Sequence, residues 1–150
     1  MNIQIREANA GEESIIAGFQ IDMALETENM VLPPDRIKAG VRAVFDDPSK
    51  GTYYVCEADR KIAGSLLITQ EWSDWRNSYI WWFQSVYIIP GMRRNGIFRE
   101  MYNYIKDLAS KSKIPGLRLY VDISNTAAQR TYESMGMNGD HYKLYESIDE

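Results

Sequence analysis

The chain has 150 residues, enough for one compact domain and too few for two domains of ordinary size. Its formal net charge of −4 disfavours non-specific binding to nucleic acid, which needs a broadly basic surface. Cys56 is the single cysteine, which excludes an intramolecular disulfide, and its apolar surroundings are typical of a buried thiol. No signal-peptide pattern and no apolar run of membrane-spanning length is present. We therefore expect a cytoplasmic protein that binds neither a membrane nor nucleic acid.

The N-terminal third predicts one strand and two helices. Apolar and polar residues alternate over residues 3–5, which is typical of a short strand. Apolar residues at helical spacing predict an amphipathic helix over residues 10–26, with Asn9 as its cap. A second helix begins at the Pro33-Pro34 pair, because proline is tolerated in a first helical turn, and stops near residues 46–48.

The middle of the chain predicts an antiparallel meander. Its three strands cover residues 53–58, 62–72 and 79–88, with polar turns between them. A third helix is predicted over residues 96–111, after the Pro90-Gly91 turn. Since a helix that connects two strands of one sheet places them parallel, the strand at 79–88 should pair in parallel with the strand after this helix.

The last third predicts a strand at residues 117–121, a fourth helix over 125–135 that stops at Gly136, and a final strand at 141–148. The element order is thus β-α-α-β-β-β-α-β-α-β, without repeats, low-complexity tracts or linkers. We expect residues 1–150 to form one α/β domain.

The turn before the third helix carries the first chemical signal. It reads Arg93-Arg94-Asn95-Gly96-Ile97-Phe98-Arg99 and follows a strand that ends at Ile88. The first N–H groups of a helix lack internal partners, and the helix dipole adds positive potential, so a diphosphate fits there. Gly96 lets an anion approach the backbone where a Cβ would intrude, and the arginines add charge. Taken alone, the segment is equally compatible with an ordinary solvated helix start.

A second segment, residues 125–137, also follows a strand and forms a helix. Asn125 stands at the cap position, and Tyr132 lies about two turns later. Because ligands bind beyond the carboxyl ends of parallel strands, we expect the two helix starts to share one edge of the sheet.

Together these segments resemble the GNAT family of N-acetyltransferases. The family motif (Gln/Arg)-x-x-Gly-x-(Gly/Ala) matches residues 93–98, and its Asn-x-x-Ala, Tyr and Gly pattern matches residues 125–137. The element order extends the resemblance over nearly the whole chain. It implies an α/β (α+β) fold: a mixed, mostly antiparallel sheet of about six to seven strands with four helices, its parallel pair splayed at the cofactor site. Phe98 departs from the motif, so its ring must turn away from the cofactor.

The resemblance implies acetyl-coenzyme A as co-substrate, a primary amine of a small molecule or peptide as acceptor, and no metal ion. Tyr132 would give a proton to the departing thiolate, although a half-buried core phenol is the alternative interpretation. A backbone N–H at the end of the strand would face the thioester oxygen. The implied cofactor contacts are Val86, Tyr87, Ile88, Arg93, Arg94, Asn95, Gly96, Ile97, Phe98, Arg99 and Asn125.

An amine of pKa near 10 must lose a proton before it attacks. Some relatives use a glutamate where this chain has Tyr120, which cannot serve. Asp122, Glu71, Glu28 and a water relay remain open as the base. Glu28, Glu71 and Trp72 are also candidate acceptor-site residues, since carboxylates beside aromatic rings suit a cation; a solvated loop is the alternative.

Two other functions remain open. A non-catalytic acyl-coenzyme A-binding regulatory module of the same fold would explain the missing base and Phe98. A nucleotide-binding phosphotransferase is disfavoured, because the chain lacks Gly-x-x-x-x-Gly-Lys-(Ser/Thr) and a carboxylate pattern for magnesium. The sequence does not determine the oligomeric state; a homodimer is compatible with the resemblance.

Overall fold

A computed structural model describes residues 1–149 of the chain. The chain divides into two compact units, of which the first is Met1–Arg118 and the second begins at Leu119. None of the helices in the described part combines the length and the apolar character that crossing a membrane requires.

The first unit contains the sheet and three of the helices, and the second unit contains the last helix. The elements are β1 Ile3–Glu7, α1 Glu13–Glu28, α2 Pro34–Asp46, β2 Thr52–Ala58, β3 Lys61–Ser73, β4 Ser78–Ile88, α3 Ile97–Lys111, β5 Leu117–Arg118 and α4 Thr126–Ser134. Short 3₁₀ turns precede α1, β2 and α3.

The sheet is mixed and mostly antiparallel, as predicted. Its strands lie in the order β1-β2-β3-β4-β5, and each neighbouring pair up to β4 is antiparallel. The predicted parallel pair is confirmed, since Trp81 lies opposite Leu117 and Trp82 opposite Arg118. Within residues 1–149 the sheet has five strands, fewer than the six to seven that the resemblance implied.

The prediction of a strand at residues 141–148 is wrong. These residues belong to no helix or strand, and Tyr142 and Tyr145 are 72% and 86% exposed. Alternating apolar side chains produce a strand only where a neighbouring strand supplies backbone hydrogen bonds. β5 is likewise shorter than predicted, because its ladder with β4 ends at Arg118 rather than continuing to Val121.

The two ends of α1 follow from local hydrogen bonds. Asn9 precedes the 3₁₀ turn, and its backbone N–H donates to the Glu12 carboxylate at 3.0 Å. Asn29 adopts a left-handed conformation with φ of 50°, and its N–H donates to the carbonyl of Ala24. α1 therefore extends two residues beyond the predicted end, and Glu26 lies in its last turn.

Helices cover both faces of the sheet. Neighbouring Tyr53 and Tyr54 point to opposite faces: Tyr53 stacks on Phe45 of α2, with ring centroids 5.6 Å apart, and Tyr54 contacts Tyr104 of α3 at 6.0 Å. The core on the α1 and α2 side contains Ala8, Ile16, Ala17, Val41, Tyr53 and Val55. The buried residues of α3 are Ile97, Met101, Tyr102, Ile105 and Ala109.

Cys56 in β2 is fully buried, which confirms the prediction from its apolar surroundings. Burial raises the pKa of its thiol to about 11, because the charged thiolate is disfavoured away from water. A thiol with such a pKa is unsuited to act as a nucleophile at neutral pH.

Leu66 in β3 is fully buried. We expect Leu66→Ala to lower the free energy of unfolding by about 2–5 kcal/mol, since it removes buried methyl groups and leaves a cavity. Urea denaturation followed by circular dichroism measures the change. Val31→Ala is the control, because Val31 is 81% exposed and its truncation should cost less than about 0.5 kcal/mol. Equal effects of the two substitutions would contradict the packing of β3.

Candidate functional site

β4 contains a β-bulge near its end. Its pairing with β3 shifts by one residue, so that Leu66 lies opposite both Ser85 and Val86. Ser85 has a φ of 52°, a left-handed conformation that a regular strand does not contain. The extra residue reverses the alternation of side chains beyond the bulge.

The bulge changes which helix the end of β4 contacts. Phe83 and Tyr87 are four residues apart and would share a face in a regular strand. Instead, the ring of Phe83 lies 5.6 Å from Tyr102 of α3, whereas Tyr87 lies 5.3 Å from Phe19 of α1. Tyr87, a predicted cofactor contact, therefore buries its side chain on the α1 side of the sheet.

β4 pairs with β5 only near its beginning. The ladder ends at Trp82 and Arg118, so within residues 1–149 the segment from Phe83 to Ile88 pairs with β3 alone. The splay of the parallel pair, which the resemblance implies, stays a prediction, because β5 itself ends at Arg118. The peptide groups of Val86, Tyr87 and Ile88 lie in this part of β4.

Side chains brace the turn that follows β4. Asn95 Nδ2 donates to the carbonyl oxygens of Met92, at 3.1 Å, and Arg93, at 3.2 Å. Arg93 Nε donates to the carbonyl of Ile88 at 2.8 Å. The side chains of Asn95 and Arg93, which we predicted to contact the cofactor, thus make hydrogen bonds within the protein.

Gly96 is the N-cap residue of α3, and no side chain caps this helix start. Gly96 has φ of 74° and ψ of 13°, and a Cβ at this position would meet no other atom within 4 Å. The first bond of the helix runs from the Glu100 N–H to the Gly96 carbonyl at 3.1 Å. The N–H groups of the first turn therefore point out of the helix, where the dipole is positive. Arg94 and Arg99 are exposed beside this turn.

Phe98 fits into this helix start by packing its ring on the sheet. Its ring centroid lies 6.3 Å from that of Phe83 and 6.4 Å from that of Tyr102. Ile97, next to it, is buried. The side chains of both residues therefore anchor α3, and their peptide groups remain in the first helical turn.

Glu26, in the segment that the resemblance assigns to the acceptor cleft, connects α1 to this turn. Its carboxylate accepts hydrogen bonds from Tyr87 Oη and from Arg93 Nη2, the latter at 2.8 Å. These bonds lower the pKa of Glu26, and burial together with the bond to Glu26 raises the pKa of Tyr87 to about 12. The partners are 61 and 67 residues away in the chain, so no local pattern could reveal them.

Glu71, a candidate base and acceptor residue, is paired. Its Oε1 accepts hydrogen bonds from Trp82 Nε1 at 2.9 Å and from Arg118 Nη1 at 2.8 Å. These two partners hold the pKa of the Glu71 carboxyl below its usual value. The arginine therefore balances the charge of this carboxylate, which weakens the case for Glu71 as a base.

The three predicted acceptor residues do not form one cluster. Trp72 follows Glu71 in β3 and points to the opposite face, where its ring lies 5.1 Å from that of Tyr79. Glu28 is exposed at the end of α1, and in the described part of the chain no hydrogen bond or ion pair joins it to Glu71 or Trp72. Residues 1–149 contain no group of three or more His, Cys, Asp and Glu side chains arranged to hold a metal ion.

The second unit carries Asn125 and Tyr132. Asn125 is the N-cap of α4, as predicted, and its Oδ1 accepts from the Ala128 N–H at 3.1 Å. Asp122 Oδ1 accepts from the hydroxyl and the N–H of Ser124, and these bonds lower the pKa of Asp122. It is therefore a structural carboxylate of the loop. Tyr132 is half-buried, and burial raises the pKa of its phenol.

Comparison with known proteins extends these observations. A sequence model of the acetyltransferase (GNAT) family matches residues 21–137, a range that includes both Gly96 and Tyr132. No curated protein matches the chain.

Solved structures match nearly the whole chain. A possible acetyltransferase from Clostridium difficile 630 is 41% identical, with a TM-score of 0.90 over 99% of each chain. A ribosomal-protein-alanine N-acetyltransferase from Brucella melitensis biovar Abortus 2308 is 12% identical, with a TM-score of 0.80 over 99% of this chain and 100% of that one. AAC(6')-Iy, in complex with the bisubstrate analog CoA-S-monomethyl-acetylneamine, is 12% identical, with a TM-score of 0.78 over 99% of each chain. The last two likenesses concern the fold alone. On the family match and the 41% identical structure, the chain belongs to the acetyltransferase (GNAT) family.

Proposed function

We propose that this chain is an N-acetyltransferase that moves an acetyl group from acetyl-coenzyme A to a primary amine of a small molecule or peptide. The observation that carries the proposal is the uncapped start of α3 at Gly96, with open space where a Cβ would be and exposed Arg94 and Arg99 beside it. Membership of the family supports the chemistry, and AAC(6')-Iy, which shares the fold, was solved with a coenzyme A analog.

In this proposal the diphosphate binds the peptide groups that open α3. Gly96, Ile97 and Phe98 would contribute N–H donors, because their side chains are absent or packed inward. Helix N-termini bind phosphate groups in this way through unsatisfied N–H groups and the dipole. Arg94 and Arg99 would add positive charge, and Asn125 would hold the cofactor through its side-chain amide.

The end of β4 would bind the pantetheine arm. Val86, Tyr87 and Ile88 lie where β4 has no ladder with β5, so their peptide groups on that edge can bond a ligand. An N–H in this segment would donate to the thioester oxygen as the amine nitrogen attacks and negative charge develops there. Such a preorganised donor typically lowers the barrier by a few kcal/mol, about 3 kcal/mol in measured cases.

Tyr132 would donate its phenolic proton to the sulfur as the C–S bond breaks. A phenol has an ordinary pKa near 10, and burial raises the pKa of Tyr132 further, so this side chain keeps its proton at neutral pH. This is the state that a general acid needs. The amine loses its own proton to a base. Glu71 is paired with Arg118 and Asp122 with Ser124, so the proposal favours Glu28 or a water relay for this step.

A non-catalytic acyl-coenzyme A-binding module is the second candidate. The pairing of Glu71 with Arg118 and of Asp122 with Ser124 favours it, since neither carboxylate is suited to remove a proton from an ammonium group. Transfer of acetyl groups to an amine distinguishes an enzyme from such a module.

The conformation of Gly96 generates a prediction about cofactor affinity. Gly96→Ala should weaken coenzyme A binding roughly tenfold or more, because the new Cβ lies where the diphosphate must reach the backbone. Alanine in a left-handed conformation also costs about 1 kcal/mol. Calorimetric titration with coenzyme A measures the affinity. Gly91→Ala is the matched control, because Gly91 also has open space around a Cβ but no positive φ. The affinity of this variant for coenzyme A should equal that of the wild type. Equal affinities for both variants would contradict diphosphate binding at Gly96.

The proposed acid role of Tyr132 generates a prediction about turnover. Tyr132→Phe should lower kcat by roughly 100-fold and leave the affinity for coenzyme A unchanged, because only the proton donor is lost. Release of free thiol in the presence of a panel of primary amines measures kcat. Tyr142→Phe, at an exposed tyrosine outside α4, is the control. Unchanged turnover of Tyr132→Phe would remove the acid role, and cofactor binding without transfer to any amine would favour the binding module.

A further inference from the structure

Arg93 occupies the first position of the family motif, yet its guanidinium is engaged by protein atoms. Nε donates to the carbonyl of Ile88 at 2.8 Å, and Nη2 donates to Glu26 Oε1 at 2.8 Å. The same guanidinium lies 5.3 Å from the centroid of the Tyr87 ring. Tyr87 Oη donates to the second oxygen of Glu26. The cluster of Glu26, Tyr87 and Arg93 therefore connects the last turn of α1, the end of β4 and the turn before α3.

We propose that Glu26 and Arg93 are positioning residues for coenzyme A: Glu26 holds Arg93 on the protein, and Arg93 fixes the turn whose N–H groups bind the diphosphate. This inference rests on the proposed function. The cations that meet the diphosphate are then Arg94 and Arg99, which are exposed beside the helix start.

Geometry supports a positioning role for Arg93. The carbonyl of Ile88 belongs to the last residue of β4, and Gly96 follows eight residues later. A guanidinium that bonds this carbonyl and a carboxylate of α1 restrains the beginning of the turn, while Asn95 restrains its end through two carbonyl oxygens. A turn restrained at both ends loses less conformational freedom when a ligand binds, so its donors are preorganised.

Charge supports the same role. A carboxylate near a diphosphate repels it unless a cation compensates the carboxylate. The ion pair between Arg93 and Glu26 supplies this compensation, and Tyr87 satisfies the other carboxylate oxygen. Loss of Arg93 would leave Glu26 uncompensated beside the site, whereas loss of the charge on Glu26 would release Arg93 from the turn.

The alternative, in which Arg93 binds the diphosphate directly, predicts the opposite sign for one substitution. Glu26→Gln removes a carboxylate that competes with the diphosphate for Arg93. If Arg93 bound the diphosphate directly, this variant would therefore bind coenzyme A more tightly than the wild type. If Arg93 is a positioning residue, it would lose its anchor, and we expect the affinity for coenzyme A to fall roughly two- to fivefold, the range for loss of one partly exposed ion pair. At the higher salt concentration, where the lost charge of Glu26 is screened, the sign of the change separates the two roles.

The experiment titrates coenzyme A calorimetrically into the full-length wild type, Glu26→Gln, Arg93→Gln and the double variant, at two salt concentrations. We expect the double variant to bind no more weakly than Arg93→Gln alone, because both substitutions break one interaction. The double variant should keep the salt dependence of the wild type, since it removes both charges of the ion pair and no contact with the anion, whereas Arg94→Gln should reduce that dependence. If Arg93 only stabilised the fold, folded Arg93→Gln would bind coenzyme A as tightly as the wild type.

Tyr87→Phe provides a second variant should Glu26→Gln fail to fold, as judged by circular dichroism. It keeps the ring and removes the hydroxyl that holds Glu26, so coenzyme A should again bind more weakly. Equal or tighter binding by Glu26→Gln at the higher salt concentration, or by Tyr87→Phe in its place, overturns the inference, as does a reduced salt dependence for the double variant. Absence of coenzyme A binding by the wild type overturns the proposed function, and this inference with it.

Discussion

The bulge at Ser85 and Val86 determines what each half of β4 contacts. Before the bulge, Phe83 packs against α3 and belongs to the core on that face. Beyond it, Tyr87 turns to α1 and donates to Glu26. A regular alternation would place both aromatic rings on the α3 side and leave the last turn of α1 without this contact. One extra residue thus allows the end of β4 to bond to α1 while the chain continues into α3, and the turn between them is held from both sides of the sheet.

The parts of the fold that depend on near neighbours could be predicted from the sequence. The start of α3 at Gly96, the bond of Asn125 to Ala128 and the ends of α2 each follow from the conformational preferences of a few consecutive residues. The parallel pairing of β4 and β5 follows from the crossover connection through α3, which does not depend on particular side chains. The family motif pointed to residues 93–98 in the turn before α3, because such a motif describes a local backbone conformation.

The parts that depend on distant contacts could not be predicted. Nothing near Glu26 in the chain indicates Arg93, and nothing near Glu71 indicates Arg118, because each pair is made only when the sheet has formed. The sequence does not indicate the bulge in β4 either. Its effect is nevertheless large, because a shift of one residue moves the following side chains to the other face of the sheet. The same limit explains the strand wrongly predicted at residues 141–148: alternation specifies two faces but supplies no neighbouring strand.

The pairing of Glu26 and Glu71 with arginines affects how strongly these carboxylates could attract a cationic amine. Glu26 and Glu71 each accept a hydrogen bond from one aromatic side chain and one arginine. Since the arginine nitrogens lie within 3 Å of the carboxylate oxygens, an ammonium group some distance away experiences a dipole rather than a net negative charge. Attraction of a cationic amine by these two carboxylates is therefore weak. In the proposed reaction, these two carboxylates would then contribute little to selectivity among amines through long-range charge.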